Sequence, residues 1–185
     1  MRDVIIIGGG LAGLQAAVFT AKAGEETLLL DTEESLVLNT ANIQNLIGFD
    51  SVSGQELLRS GKEKLREFNG EIKNEEVTAL ARTDSGLKVT TDTGDYEAEY
   101  IVLASAGIHD YAEDLVEFEE GVEGPYMMER HVKTDQANKA ANRIYAAGLA
   151  NTWEYQSSVA IGEGAKAAVN LLTDKYGEPY TDHDT

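Results

Sequence analysis

The sequence predicts an α/β fold: a parallel sheet flanked by helices, with a small antiparallel β meander beside it. Three observations predict it. An apolar, β-branched run at residues 3–7 passes into a helical pattern at 11–23 and then into a second apolar run at 27–31, the order of a β-α-β unit. Leu87, Val89 and Thr91 alternate ahead of Thr93-Gly94-Asp95, a hairpin signal. The chain closes on a helical pattern rich in Ala and Gly at 157–175.

The first run, Val4-Ile5-Ile6-Ile7, has no polar alternation and reads as a strand buried on both faces. It ends in Gly8-Gly9-Gly10-Leu11-Ala12-Gly13, a Gly-x-Gly-x-x-Gly run. Gly8 allows a tight turn off the strand, Gly10 lets the backbone approach a pyrophosphate, and Gly13 lets the helix pack close to the sheet. The helix that opens at Leu11 and Ala12 offers unpaired N–H groups and the positive end of its dipole to phosphates. Gly24 stops this helix. The second strand closes on Asp31, eighteen positions after Gly13 and placed to accept hydrogen bonds from an adenosine ribose. An acid there favours an unphosphorylated ribose, as in FAD or NAD, over NADP. A lone Gly-x-Gly-x-x-Gly is a weak signal, because glycines also cluster in ordinary turns. The strand before it, the helix after it and the acid supply the context the motif requires.

Thr32–Asn45 read as a polar loop. Ser53 and Glu56 have capping-box spacing ahead of a helix carrying Leu57, Leu58, Leu65 and Phe68, which Gly70 ends. Residues 71–102 have the texture of strands. Tyr100–Ala104 read as a buried strand leading to Ser105-Ala106-Gly107. Residues 108–130 are acidic and loop-like, with Gly121, Gly124 and Pro125. Arg143–Gly148 give a last short strand. There is no internal repeat and no low-complexity linker.

At 185 residues the chain is expected to form one domain with a real core. No apolar run approaches the roughly 18 residues of a membrane span, and the N-terminal run is too short for a signal peptide. With 33 acids against 15 bases the net charge is −18. That argues against nucleic acid or an anionic membrane as partner. The acids are spread along a chain that is 42% hydrophobic, so disorder is a poor reading. Such a composition is like that of proteins from salt-loving archaea, so a halophilic, cytoplasmic protein is expected, one whose fold loosens in dilute buffer. Without cysteine there is no disulfide, thiolate nucleophile or cysteine-ligated metal. His109, His131 and His183 show no metal spacing and each reads as a surface or loop histidine.

The order of these pieces resembles the FAD domain of the thioredoxin reductase family, over most of the chain. Ile43-Gln44-Asn45-Leu46-Ile47-Gly48 is similar to that family's loop at the isoalloxazine, with Asn45 at the flavin-contacting position and Ile47 in place of a proline. Glu76-Val77 match the backbone site for adenine. Ser105-Ala106-Gly107 stand where the family has Ala-Thr-Gly. Val132–Asp135 and Ile144–Gly148 resemble the second FAD motif, after which Gln156 and Ser157 open a helix aimed at the flavin. The resemblance thus implies a Rossmann-like FAD-binding domain, with residues 1–107 and 131–185 as its two segments. FAD would be held by Gly8, Gly10, Leu11, Ala12, Gly13, Asp31, Asn45, Val77, Ala106, Gly107, Gly148, Gln156 and Ser157.

Three departures matter more than these matches. The family's NADPH-binding domain is replaced by the acidic connector 108–130. The Cys-x-x-Cys is absent, which excludes thiol–disulfide exchange by this chain. Leu149 stands where the family has an Asp that accepts a ribityl hydrogen bond, a loss of about 1.5–3 kcal/mol. Trp153 or Tyr155 is a candidate to stack on the isoalloxazine. Two functions follow. One is a flavoprotein oxidoreductase that passes electrons through FAD, reduced by a donor protein or by diffusing NAD(P)H. The other is a non-catalytic holder or sensor of FAD or another adenine nucleotide, acting through a partner. NAD in the single site is a weaker third. A homodimer is expected, as in the family.

Overall fold

The computed structural model describes residues 1–107, 109–121 and 129–182. The predicted β-α-β unit is present as β1 (Arg2–Ile7), α1 (Leu11–Lys22) and β2 (Thr27–Leu30). It is followed by α2 (Gly54–Glu67), β3 (Glu71–Lys73), β4 (Val77–Arg82), β5 (Leu87–Thr91) and β6 (Asp95–Leu103). Then come β7 (Phe118–Glu120), β8 (Arg130–Val132), β9 (Lys139–Ala141), β10 (Ile144–Ala146) and α3 (Ser157–Tyr176).

The main sheet runs β3-β2-β1-β6-β10-β9. Its first five strands are parallel and β9 is antiparallel at the edge. β6 is long enough to serve twice. Its first half pairs antiparallel with β5, and β5 with β4, which is the predicted meander. Its second half lies between β1 and β10. β1 therefore leads to β2 on one side and borders β6 on the other, so the ends of β1 and β6 meet at a topological switch point, where open α/β sheets bind ligands.

Period-two alternation divides the core. Val4 and Ile6 face the α1 and α3 layer and pack with Ala16, Ala17, Ala168 and Leu171. Ile5 and Ile7 face the other side, with Leu87 and Val89 of the meander and Ile101 and Ile144. The helix layer is thin because its contacts are small: a Cβ on Gly164 of α3 would lie 2.1 Å from the Ala12 carbonyl oxygen of α1.

The capping box opens α2 as its spacing predicts. Ser53 Oγ accepts from the Glu56 N–H at 3.2 Å, and Glu56 Oε2 accepts from the Ser53 N–H at 3.0 Å. These bonds hold the Glu56 carboxyl below the usual range. Ser53→Ala is expected to cost about 1 kcal/mol, lowering Tm by about 2–4 °C. An unchanged melt would mean the helix start is held by packing alone.

Two readings need correction. Residues 118–120, within the stretch read as loop, form β7 and pair antiparallel with β8. Two of its three residues are Glu119 and Glu120, so it carries no apolar alternation. His109 and His131 are not surface histidines, being 1% and 4% exposed. His183, Gly124 and Pro125 lie outside the described residues.

Candidate functional site

At the switch point a cleft of about 610 Å³ opens, within the roughly 300–1,000 Å³ range of cofactor sites. Its floor is the β1–α1 turn. Gly8 takes φ +106°, and a Cβ there would lie 2.6 Å from the Ser105 nitrogen at the end of β6. Gly13 lies beneath the turn, where a Cβ would stand 1.8 Å from the Gly8 carbonyl oxygen. Gly10 is different. Its φ of −70° suits any residue, and the nearest atom to a Cβ is Ser35 Oγ at 3.3 Å. Gly8 and Gly13 thus serve the loop itself, and Gly10 leaves space in the cleft.

Both α1 and α3 begin at the cleft, without a side-chain cap and without an acid in the first turn. Two helix N-termini therefore present free N–H groups there. At the far end Asn45 Nδ2 donates to Gln156 Oε1 at 3.0 Å, joining residues 111 positions apart. The loop that carries Asn45 is closed by the Ile43–Val52 bridge.

Of the residues singled out from the sequence, the cleft is lined by Gly8, Gly10, Leu11, Ala12, Asp31, Asn45, Ala106, Gly148, Gln156 and Ser157. Gly13 supports the turn from below. Val77 and Gly107 are not part of the lining: Val77 pairs with Thr91 in the meander. Tyr155 lines the cleft, whereas Trp153 stands outside it, 51% exposed. Tyr155 is thus the one of the two aromatics that faces the cleft. Leu149 also lines the cleft, and its carbonyl accepts from His131 Nδ1 at 3.2 Å. Its side chain offers no polar group to a ligand.

Sequence reasoning missed the network behind Ser105, which lines the cleft. Its Oγ is 2.9 Å from Tyr111 Oη and 3.2 Å from His109 Nε2. Burial pushes Tyr111 up to about 12 and lowers the His109 pKa below its ordinary value. The sign of the effect follows. As pH falls through about 6.5 the unfolded chain takes up a proton that folded His109 resists, so stability drops with acid. His109→Gln is expected to remove up to about 1 kcal/mol of the stability lost between pH 7.5 and 5.5 in urea melts. Parallel pH profiles would show that His109 titrates alike in both states.

The sequence pattern of the pyridine nucleotide-disulphide oxidoreductases matches residues 2–162. The chain belongs to the pyridine nucleotide-disulphide oxidoreductase family. Among relatives within the family, it is 34% identical over 112 residues to the thioredoxin reductase of Treponema pallidum (strain Nichols), covering 58% of this chain and 36% of the relative. It is 36% identical over 110 residues to the thioredoxin reductase of Aquifex aeolicus (strain VF5), covering 57% and 34%. The chain thus spans about a third of the length of the curated relatives it matches. In space it superposes on an oxidoreductase from Agrobacterium tumefaciens with a TM-score of 0.84 at 16% identity, covering 96% of this chain and 99% of the other. A thioredoxin reductase from Gloeobacter violaceus gives 0.81 at 18%, covering 100% and 98%. At these identities the superpositions speak for the fold. Among the described residues no helix is long and apolar enough to cross a membrane, and no group of His, Asp or Glu is arranged to hold a metal.

Proposed function

We propose that this chain binds FAD in the cleft and passes electrons through it without a dithiol. One observation carries the reading. The cleft joins a Gly10 cradle at the acid-free start of α1 to an Asn45–Gln156 pair at the acid-free start of α3, so it has a phosphate end and a polar-planar end. Those features fit FAD, which when bound would supply the redox chemistry. The chain's residues bind and orient it. Gly8, Gly10, Leu11 and Ala12 would hold the pyrophosphate against the start of α1, and Asp31 the ribose. Asn45, Gln156 and Ser157 would hold the ring system, with Tyr155 limiting water. The α3 N-terminus would favour negative charge on a reduced ring. Electrons would come from a donor protein or from diffusing NAD(P)H, in a cytoplasmic, salt-adapted homodimer.

A second reading, a holder of FAD or another adenine nucleotide that does not turn over, is favoured by Leu149. Its apolar side chain cannot accept the ribityl hydrogen bond, and its carbonyl is already bonded to His131. An absorption spectrum in molar salt separates the two. Flavin bands that appear with FAD and bleach with NADH, NADPH or a reduced donor protein support electron transfer. Bands that resist every reductant favour the holder. No bands after FAD is supplied would remove the FAD reading. Light scattering in the same buffer tests the dimer, and a monomer mass would remove it.

A further inference from the structure

Asp31 is held more firmly than ribose binding alone explains. Its side chain is 6% exposed, and Oδ2 lies 2.9 Å from Lys62 Nζ on α2. Its Oδ1 accepts from the Glu33 N–H at 3.0 Å. The same Lys62 ammonium reaches Glu33 Oε1 at 2.9 Å. Gly9 also closes in: a Cβ there would stand 2.1 Å from the Asp31 Cγ. The Gly-x-Gly-x-x-Gly pattern places no demand on Gly9, but this carboxylate does. Asp31 is also a partition. A second cavity, of about 380 Å³ and lined in part by Lys62, lies behind it and shares Gly9 and Asp31 with the cleft. The cation thus holds the carboxylate from one side, and the cleft lies on the other.

A carboxylate offers about four lone-pair sites. Lys62 and the Glu33 N–H take two of them, which leaves two for a pair of hydroxyl donors. Vicinal hydroxyls on a ribose are such a pair. The cation is needed because Asp31 is nearly out of water, with Glu33 and Glu34 beside it in sequence, in a chain of net charge −18. An unpaired carboxylate there would be poorly solvated and repelled toward solvent. Burial pulls the Lys62 ammonium down, and its bonds to Asp31 and Glu33 more than offset that, so it stays charged.

We propose that Lys62 is a positioning residue for ribose recognition: it fixes the Asp31 carboxylate so that its free lone pairs receive the 2′- and 3′-hydroxyls of an adenosine ligand. This rests on the dinucleotide reading of the cleft. Binding of 5′-ADP and of 2′,3′-dideoxy-ADP to the full chain in molar salt, by calorimetry, tests it. Unsubstituted protein should prefer 5′-ADP by about 10–100-fold. Lys62→Met should bring that ratio to within about threefold, and Lys62→Arg, which keeps a cation, should largely restore it. The ratio compares two ligands on one protein, so a general loss of stability cancels, and Lys62→Gln replaces Lys62→Met if the latter does not fold. A full preference retained without the cation would overturn the proposal and leave Lys62 a structural residue. Unsubstituted protein that binds both ligands equally would also overturn it, while leaving the cleft reading in place. Binding of neither would sink both.

Discussion

Gly10→Ala is expected to leave the fold intact and to weaken dinucleotide binding by about 10–100-fold, the loss of at least one charge-assisted phosphate bond. Gly13→Ala is expected to damage the fold itself. The contrast follows from where each methyl would go. At Gly10 the backbone is already in a region open to L-residues, and the nearest atom is a side-chain hydroxyl at 3.3 Å that can rotate away. The methyl then occupies only space that a phosphate would use. At Gly13 the methyl meets the Gly8 carbonyl oxygen at 1.8 Å. Gly8 cannot retreat, because it is itself packed against the backbone of Ser105. Overpacking of this kind typically costs about 1–3 kcal/mol and sometimes more. Thermal melts and FAD titrations on the two variants check the assignment. A Gly10→Ala protein that binds FAD normally would mean that the turn does not approach the pyrophosphate, and the central motif would be structural only.

The β1–α1–β2 unit was legible because every signal in it is local: an apolar run, three glycines at fixed spacing and an acid after the second strand. The meander was legible through alternation and a turn. β7, β8 and β9 were not, since none of them carries an apolar run and β7 is mostly acidic. Its anchor is Arg130 stacked 4.1 Å over the Phe118 ring and paired with Glu113 at 2.9 Å, contacts that no spacing announces. The same limit applies to the cleft. Gly8, Gly10 and Asp31 could be named from one short window. Asn45 and Gln156 were named through a family resemblance, and their hydrogen bond ties two loops far apart in sequence. The roles of Lys62 and of the Ser105 hydroxyl could not be read, because they come from partners brought to them by the fold. The buried histidines illustrate the converse: a titratable residue in a polar stretch carries no mark of burial.

Raising salt from 0.1 M to 1 M is expected to stabilise the fold by about 4 kcal/mol, the change in self-repulsion of 18 like charges on a sphere of this size as the Debye length shrinks from about 10 to 3 Å, less the smaller change in the unfolded chain. That corresponds to a rise in Tm of roughly 10 °C. Ion pairs oppose the trend, but most are exposed and individually weak. The better-buried ones, Lys62 with Asp31 and Lys175 with Asp3, Glu25 and Glu99, are screened less than the diffuse repulsion. Ligand binding is expected to move the same way. Among the described residues Asp31, Glu34 and Glu154 line the cleft and no Lys or Arg does, so a pyrophosphate approaches an acidic mouth on an acidic protein. Its attraction to the α1 N-terminus acts at contact distance and survives screening, whereas the long-range repulsion does not. FAD affinity should therefore rise with potassium chloride, opposite in sign to the usual loss when cationic sites bind phosphates. Affinity that falls with salt would place an unrecognised cation at the phosphates, and a Tm independent of salt would mean that the acidic surface is not what limits this fold.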